Sequence, residues 1–396
     1  MKIRLLLFIL PLTFFSCQDE TFDPASSFTK IYDNNSSALD YQPIDVVETE
    51  SGYLVLASRE LSRSDFNGIQ VIQLDREGNF ASEQTPDDSY VAPVRDFIKI
   101  DSSYYFFAMD GRTLSTVIFA MSGDLSRFDI NAVSSSPNYT LAASSTSADE
   151  LLLLSYDPNG LETVISRRAT DGSLLQGAGY TIGAGSDVEQ QIVNHFVDPE
   201  RSGIPFFCGE TADGQVYFNG FYNYSLSMVF SDFGSEPTGV LQGQGANAGV
   251  SKAVSVTGSS FSIFGFQFSD SFIVPQATLD VNSTTASSVD LMSAPTAEFK
   301  SRTKSDIVIW THNGTQYAVV AGETENGQVA LYVYDLSTGE LKGIEKIGYL
   351  NTHNLASIKV DSNNGLLVLG ATYVSGRFKR IFLRKMTEAE LVSMLK

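Results

Sequence analysis

Two stretches near opposite ends of the chain read VETESGYLVLA (residues 47–57) and VDSNNGLLVLG (residues 360–370). They match position for position at an offset of 313 residues: a valine, an acid, a polar turn, a glycine, four apolar residues and a small residue. Short apolar runs bounded by glycine and polar residues are typical of β-strands that end in tight turns. Each stretch is followed by a polar loop and a second strand-like run, at residues 69–74 and 380–385. The same strand unit therefore occurs at both ends of the chain.

Weaker copies of this unit fill the interval. Their apolar runs begin at Tyr104, Leu151, Pro205, Phe261 and Tyr317, at steps of about 50 residues. A unit of that length holds four short strands, and packing such units around a central axis buries their faces against one another. A β-solenoid would repeat at a shorter period, and a pair of β-sandwiches would not place similar units at opposite ends. The sequence predicts an all-β protein, a β-propeller of seven four-stranded blades, with six or eight blades as the alternatives.

The two ends of this domain predict how the propeller closes. After residues 380–385 the last unit lacks a fourth strand, because residues 387–396 (TEAELVSMLK) have the pattern of a short helix. Residues 28–33 (FTKIYD) form a spare strand ahead of the first unit. We predict that this strand pairs into the last blade. Residues 28–396 then form a single propeller domain with a short C-terminal helix.

The N-terminus has the order of a secretory signal. Lys2 and Arg4 precede an apolar stretch at residues 5–15, which is too short to span a bilayer, and Ser16 then stands before Cys17. A small residue followed by cysteine at this point resembles the lipobox of bacterial lipoproteins. The resemblance implies that residues 1–16 are removed, that the Cys17 thiol carries a diacylglycerol, and that residues 17–27 form a polar tether. Two or three acyl chains hold a protein on a membrane durably.

Acidic residues directly after the cysteine, Asp19 and Glu20, resemble the export signal of surface lipoproteins from the Bacteroidetes. The repeat is similar to the glycine-and-aspartate propeller repeats of that group, over about residues 28–386. The resemblance implies an outer-membrane protein, lipid-anchored and displayed at the cell surface, with the periplasmic face as the alternative location. It implies a scaffold or binding role and no particular catalytic residue.

Charge and cysteine usage limit the partners. The chain carries a formal charge of −20, and removal of Lys2 and Arg4 with the signal peptide leaves the mature chain near −22. Nucleic-acid binding needs clustered Lys and Arg, so nucleic acid is excluded as a partner. Cys208 is the only cysteine besides Cys17, and it lies in an apolar run, which predicts a buried and inert thiol without a disulfide.

Catalytic and cofactor motifs are missing from the sequence. His195, His312 and His353 are the only histidines, and their spacing fits no zinc motif. There is no Gly-x-Ser-x-Gly nucleophile motif and no phosphate-binding glycine loop. Trp310 is the only tryptophan, which argues against sialidase and quinoprotein propellers. We therefore expect no cofactor, no metal and no enzyme activity, although the many carboxylates leave an unassigned glycosidase pair open.

One aromatic segment is a candidate binding site. Residues 217–225 read YFNGFYNYS, and residues 222–225 have the pattern of a hairpin tip. Exposed tyrosines at such a tip, Tyr222 and Tyr224, can stack on sugars or contact another protein. The alternative is that these side chains pack between blades.

Two functions fit these observations. The first is a non-enzymatic surface scaffold that binds a protein partner, as an accessory subunit of an outer-membrane complex. The alternative is a glycan-binding or glycan-active surface lipoprotein. Because propellers host both functions, the fold does not decide between them.

Overall fold

The computed structural model describes residues 26–32, 41–62, 64–135, 138–183, 187–197, 203–245, 247–283, 286–291, 296–300, 302–374 and 378–395. The predicted signal peptide, the lipidated Cys17 and almost all of the tether lie outside these residues. Across the described residues, no helix combines the length and the apolar character needed to cross a membrane.

The described chain is all-β and forms consecutive units of antiparallel strands. Unit 1 contains β2 (Tyr41–Glu48), β3 (Gly52–Arg59), β4 (Gly68–Asp75) and β5 (Phe80–Gln84). Unit 2 contains β7 (Ile98–Ile100), β8 (Ser103–Asp110), β9 (Thr116–Ser122) and β10 (Phe128–Ala132). The short β6 (Tyr90–Val91) pairs with both β4 and β8 and joins these units into one sheet.

The middle of the chain continues in the same way. Unit 3 contains β11 (Thr140–Ser145), β12 (Leu151–Asp157), β13 (Glu162–Arg168) and β14 (Leu174–Thr181). After helix α1 (Val188–Val197), unit 4 contains β15 (Phe207–Glu210), β16 (Val216–Tyr222), β17 (Ser225–Ser231) and β18 (Gly239–Gln242). Unit 5 contains β19 (Ala248–Ser255), β20 (Ser260–Gln267) and β21 (Asp270–Thr278). The short β22 (Ala286–Ser287) adds to β18, and a 3₁₀ turn follows (Ser288–Leu291).

The last two units complete the order. Unit 6 contains β23 (Ser305–His312), β24 (Thr315–Glu323), β25 (Val329–Asp335) and β26 (Leu341–Ile347). Unit 7 contains β27 (His353–Val360), β28 (Leu366–Val374) and β29 (Phe378–Met386). Its fourth strand is β1 (Phe28–Tyr32), which pairs antiparallel with β29 from Phe28↔Lys385 to Tyr32↔Ile381.

Neighbouring units pack face to face through apolar side chains. Unit 1 shares one cluster with unit 2, around Leu54 and Phe106, and unit 6 shares another with unit 7, around Val319 and Leu366. Val55 of unit 1 lies in a cluster with residues of unit 7, so the first and last units also contact each other. Four-stranded antiparallel sheets that pack in succession in this way form a β-propeller. The all-β propeller prediction is confirmed at this level.

The same steric constraint requires glycine at the matching position of both end repeats. A Cβ atom on Gly52 would lie 2.1 Å from the carbonyl oxygen of Leu74, on the third strand of its unit. A Cβ atom on Gly365 would lie 2.3 Å from the carbonyl oxygen of Met386, also on the third strand. Only glycine allows this backbone approach, because any side chain would collide with a main-chain oxygen that cannot move aside.

The C-terminal helix was predicted correctly. Helix α2 (Glu388–Met394) begins after Thr387, whose hydroxyl accepts a hydrogen bond from the Glu390 backbone N–H at 3.2 Å. The Glu390 carboxylate in turn accepts from the Thr387 backbone N–H at 2.7 Å. This capping box fixes the start of the helix, and Leu391 and Met394 are buried against unit 6 and unit 7 residues.

The repeat in unit 4 lies at a different place from the one predicted, and helix α1 was not predicted. The apolar run that begins at Pro205 leads into the first strand, β15, whereas the second strand, β16, begins at Val216. The helix inserted ahead of this unit shifts its strands along the chain and breaks the regular spacing. Val188, Ile192 and Phe196 are its buried residues, and they recur every four positions, as on one face of a helix.

Candidate functional site

A cavity of about 890 Å³ lies at one end of the units. Successive strands alternate in direction, so the starts of the first strands and the hairpins between second and third strands lie at the same end. Gln42, at the start of β2, and Asn67, between β3 and β4, both line the cavity. So do the connections at residues 92–96, 203–206 and 302–304. We call this the cavity end.

Helix α1 contributes one wall of the cavity. Its residue His195 is half-buried and accepts a hydrogen bond at Nδ1 from the Ile204 backbone N–H, at 2.9 Å. The ring also lies edge-on to Phe196 and Phe206, with centroids 5.1 and 5.0 Å away. Burial, followed by the charge of Lys304, lowers the pKa of His195 to about 4. His195 is therefore neutral at pH 7, and because Nδ1 accepts, its proton is on Nε2.

Two buried aspartates tie neighbouring units together. Asp45 accepts hydrogen bonds from the backbone N–H groups of Val46 at 2.9 Å and of Phe97, at the start of unit 2, at 2.7 Å. Asp306 accepts in the same manner from Ile307 at 2.9 Å and from a unit 7 residue, Ile358, at 2.8 Å. In both cases the partner in the next unit is 52 residues further along the chain. These carboxylates hold the first strands of adjacent units in a fixed position around the cavity.

The same two aspartates belong to an ion-pair network. Lys359 Nζ lies 3.0 Å from Asp45 and 3.5 Å from Asp96. Arg95 Nη2 lies 2.5 Å from Asp306, and its Nη1 donates to the Ser305 carbonyl oxygen at 3.1 Å. Burial alone would raise the pKa of Asp96, but nearby lysines and Arg95 hold that pKa below its usual range. The network joins side chains of units 1, 2, 6 and 7 across one side of the cavity.

The cavity wall is basic although the whole chain is acidic. Among its described lining residues, six are basic and two are acidic: Arg95, Lys252, Lys300, Arg302, Lys304 and Lys379 against Asp96 and Glu323. Three of the basic residues come from the connection into unit 6, at residues 300–304. Lys300 is paired with Glu323 at 3.2 Å. Burial lowers the pKa of Lys304, with Glu323 opposing that change and Arg95 adding to it.

Apolar side chains are exposed on connections at the cavity end. Tyr349 and Leu350, between β26 and β27, are 93% and 89% exposed. Tyr224, between β16 and β17, is 53% exposed, and Phe268, between β20 and β21, is 56% exposed. Exposed aromatic and aliphatic side chains grouped on one face are typical of a protein-binding surface.

The two tyrosines of the predicted binding site, Tyr222 and Tyr224, differ in their exposure. Tyr222 and Ser225 form the last pair of the β16–β17 hairpin, so the predicted hairpin tip is confirmed. Tyr222 is half-buried and packs against the core shared by units 3 and 4, whereas Tyr224 is exposed. The Tyr224 backbone N–H donates to the Ile182 carbonyl oxygen at 2.9 Å, which holds the tip beside unit 3.

The other predicted residues do not converge on one site. Cys208 is buried in β15, and burial raises the pKa of its thiol, so the prediction of a buried thiol is confirmed. His312 contacts Glu388 of α2 at 2.8 Å, and His353 contacts the Asn351 carbonyl oxygen at 2.8 Å. Within the described ranges, no group of three or more His, Cys, Asp or Glu side chains is placed to hold a metal ion.

Sequence reasoning missed the cavity and its charges. The signal that could have found them is the run KSRTK at residues 300–304, which places three basic residues in five positions of an acidic chain. The sequence gives no comparable signal for Asp45, Asp306 and Lys359, since none of them belongs to a run of like charges.

No known protein family and no curated protein matches the chain. Among solved structures it is similar to the β-propeller domain of the trilobed protease from Pyrococcus furiosus, with a TM-score of 0.47, 9% identity, and coverage of 88% of this chain and 95% of that one. It is similar to the acylaminoacyl peptidase of Pyrococcus horikoshii, with a TM-score of 0.48, 12% identity, and coverage of 87% of this chain and 51% of that one. For the Dos1 propeller the TM-score is 0.41, the identity 10%, and the coverage 88% and 93%.

These comparisons correct one prediction. The expectation that the chain is not an enzyme is wrong in their light, because two of these propeller structures belong to peptidases. The expectation rested on missing motifs in the propeller, and a propeller can be one part of an enzyme without carrying such motifs itself. At identities of 9 to 12% the similarity extends to the fold alone, so no activity is transferred to this chain.

Proposed function

We propose that this chain is a lipid-anchored propeller that binds a protein partner at its cavity end, as an accessory subunit of an outer-membrane complex. Its anchor is the lipidated Cys17, and the tether at residues 17–27 presents the propeller at the cell surface. The lipobox-like N-terminus supports the anchor, and the exposed apolar side chains of the cavity end support the partner.

The proposal includes a closed ring of seven blades, units 1 to 7. It is supported by the order of the apolar clusters, since each unit shares one with the next and unit 7 shares one with unit 1. It is also supported by β1, which supplies the outermost strand of unit 7 from the opposite end of the chain. A ring closed in this way has no free terminal unit.

The observation that carries the proposal is the pair Tyr349 and Leu350. Both side chains are about nine-tenths exposed, on a connection whose neighbour His353 begins the first strand of unit 7. Burying two such side chains against a partner contributes about 1.5–3 kcal/mol each, by the area that leaves water. Aromatic anchors of this kind supply much of the affinity of protein interfaces.

The test is affinity purification of the C-terminally tagged chain from native membranes in mild detergent, with mass spectrometry of the proteins that accompany it. We expect a stoichiometric membrane partner with the unchanged chain and its loss with the double variant Y349S/L350S. The matched control is L174S/L175S, which removes two exposed apolar side chains from the outer strand β14. Recovery of the chain alone, or equal loss of the partner in both double variants, would contradict the proposal.

Glycan binding at the same end is the second candidate, and the exposure of Tyr224 favours it. A tyrosine ring offers a flat apolar face on which a sugar can stack. A glycan array probed with the unchanged chain and with Tyr224→Ser distinguishes this candidate. No glycan retained, or equal retention by both proteins, would remove it.

A further inference from the structure

The basic side chains of the connection into unit 6 enter a cavity whose acidic groups are already paired. Glu323 accepts from Lys300 at 3.2 Å and also from the Leu355 backbone N–H at 2.9 Å. Asp96 faces Lys359 at 3.5 Å. The backbone carbonyl oxygen of Lys304 accepts from the Thr303 hydroxyl at 3.1 Å, but within the described part of the chain no hydrogen bond or ion pair is made by its ammonium group. The positive charge of this wall is therefore not balanced by the carboxylates beside it.

We propose that the cavity binds a small polyanion, a molecule with two or more carboxylate or phosphate groups, through Arg302 and Lys304. Arg302 is held in place because its guanidinium donates to Asn247 Oδ1 at 3.1 Å and lies over the Phe266 ring at 5.7 Å. A guanidinium fixed in this manner presents its remaining N–H groups to an anion at little cost in entropy. Lys304 supplies a compact second charge from the same connection.

The size and the enclosure of the cavity favour a small ligand over a macromolecule. A volume of about 890 Å³ falls within the range of small-molecule sites. The wall combines its charges with apolar surface from Phe206, Phe266 and Tyr373. Charges of one sign in a concave site concentrate the field and draw in an ion of the opposite sign. The chain's acidic outer surface does not cancel this field, because a Debye length of about 8 Å screens it at physiological salt.

The lowered pKa values of this wall agree with the geometry. Burial lowers the pKa of Lys304, and Lys304 in turn helps to lower the pKa of His195. An anion beside Lys304 would oppose both changes. Binding should therefore raise the pKa of His195, which NMR can follow in a chain with three histidines.

The test is isothermal titration calorimetry of the mature protein with two probes, inorganic tripolyphosphate and trigalacturonate, at low and at high salt. We expect one site per chain for one of the probes, with weaker binding at high salt. Lys304→Gln and Arg302→Gln should each weaken it about tenfold or more, as expected for the loss of one charge-assisted hydrogen bond. The matched control is Lys342→Gln, which removes a half-buried lysine on β26 that pairs with Glu340 outside the cavity, and it should leave binding unchanged.

The two probes separate the possible sources of the anion. Binding of tripolyphosphate alone assigns a phosphate ligand, and binding of trigalacturonate alone assigns a carboxylate ligand. Because Arg302 and Lys304 are both exposed, both variants should fold, and circular dichroism checks this. If neither probe binds, if binding leaves the His195 pKa unchanged, or if all three variants bind equally, the inference is overturned. It does not depend on the protein partner, since it concerns the cavity and not the exposed residues around it.

Discussion

Asp306 is the carboxylate on which units 2, 6 and 7 converge. It is 4% exposed, accepts two backbone N–H groups, and forms an ion pair with Arg95 at 2.5 Å. Lys252 of unit 5 lies 3.8 Å away. Replacement by asparagine preserves the shape of the side chain and removes its charge. The perturbation is therefore almost entirely electrostatic.

The size of the destabilisation follows from the charges and donors that lose their partner when Asp306 is replaced. Arg95 and Lys252 would face each other across a neutral amide, and breaking a buried ion pair from one side costs about 3–5 kcal/mol. The amide has one acceptor oxygen, so one of the two backbone N–H groups would face its NH₂ group, which can only donate. We expect Asp306→Asn to lower the free energy of unfolding by about 3–5 kcal/mol, a large part of the 5–15 kcal/mol typical of folded proteins.

Trp310 provides the assay. It is the single tryptophan, it is fully buried, and it follows Asp306 by four residues on β23. Urea unfolding followed by its fluorescence should show a clearly lower midpoint for Asp306→Asn. The matched control is Asp129→Asn, where the carboxylate is about half exposed, lies 3.5 Å from Arg127, and should contribute less than about 1 kcal/mol. Equal midpoints for the two variants would refute the reasoning that Asp306 is a buried link between units.

Three further predictions concern single residues. Gly52→Ala and Gly365→Ala should each lower the free energy of unfolding by about 1–3 kcal/mol, because the new Cβ atom collides with a main-chain oxygen. The control Gly177→Ala makes only ordinary contacts and should leave the thermal unfolding midpoint nearly unchanged. The pKa of His195 is about 4 in the folded chain and 6.5 in the unfolded chain. The unfolded chain therefore binds a proton first as the pH falls, and the stability that is present above pH 6.5 is lost as the pH falls toward 4. Unfolding at pH 5 should show about 2 kcal/mol less stability than at pH 7, and His195→Asn should remove that difference. Cys208 should react with a thiol reagent at pH 8 only after urea is added, and labelling of the native chain would contradict its burial.

The repeat could be predicted from the sequence because the backbone of each end unit requires a glycine at the same position. Gly52 and Gly365 recur at an offset of 313 residues since each lies against a carbonyl oxygen of the third strand of its own unit. The C-terminal helix was predictable for a similar reason, because a capping box at Thr387 and Glu390 depends only on residues three positions apart. Features set by neighbours along the chain, or by a position inside one unit, can be found in the sequence.

Helix α1 shows where that reasoning failed. Its buried residues Val188, Ile192 and Phe196 have helical spacing, but ten residues among strand units are a weak pattern to recognise. Missing the helix also displaced the predicted second strand of unit 4 from Val216 to Pro205. The inserted helix thus caused two errors, the missed helix itself and the displaced strand, because the repeat was located by its regular spacing in the sequence.

The cavity was not predictable, because its groups come from distant parts of the sequence. Arg95 meets Asp306 across 211 residues, and Lys359 meets Asp45 across 314 residues. Each of these side chains sits in its own strand or connection, and the partner of each ion pair lies too far along the chain for a local pattern to reveal it. Only the arrangement of the units places their first strands around one cavity.

The acidity of the chain and the basic wall of its cavity are therefore compatible. A net charge of −20 describes the whole surface, and it argues against binding to extended anions such as nucleic acid, which must neutralise many phosphates at once. A small anion inside the cavity instead meets the residues that line it, among which basic residues outnumber acidic ones. The acidic outer surface and the basic cavity wall therefore act on anions of different size. The cavity end can hold such a ligand while Tyr349 and Leu350, on the connection before β27, remain available to a protein partner.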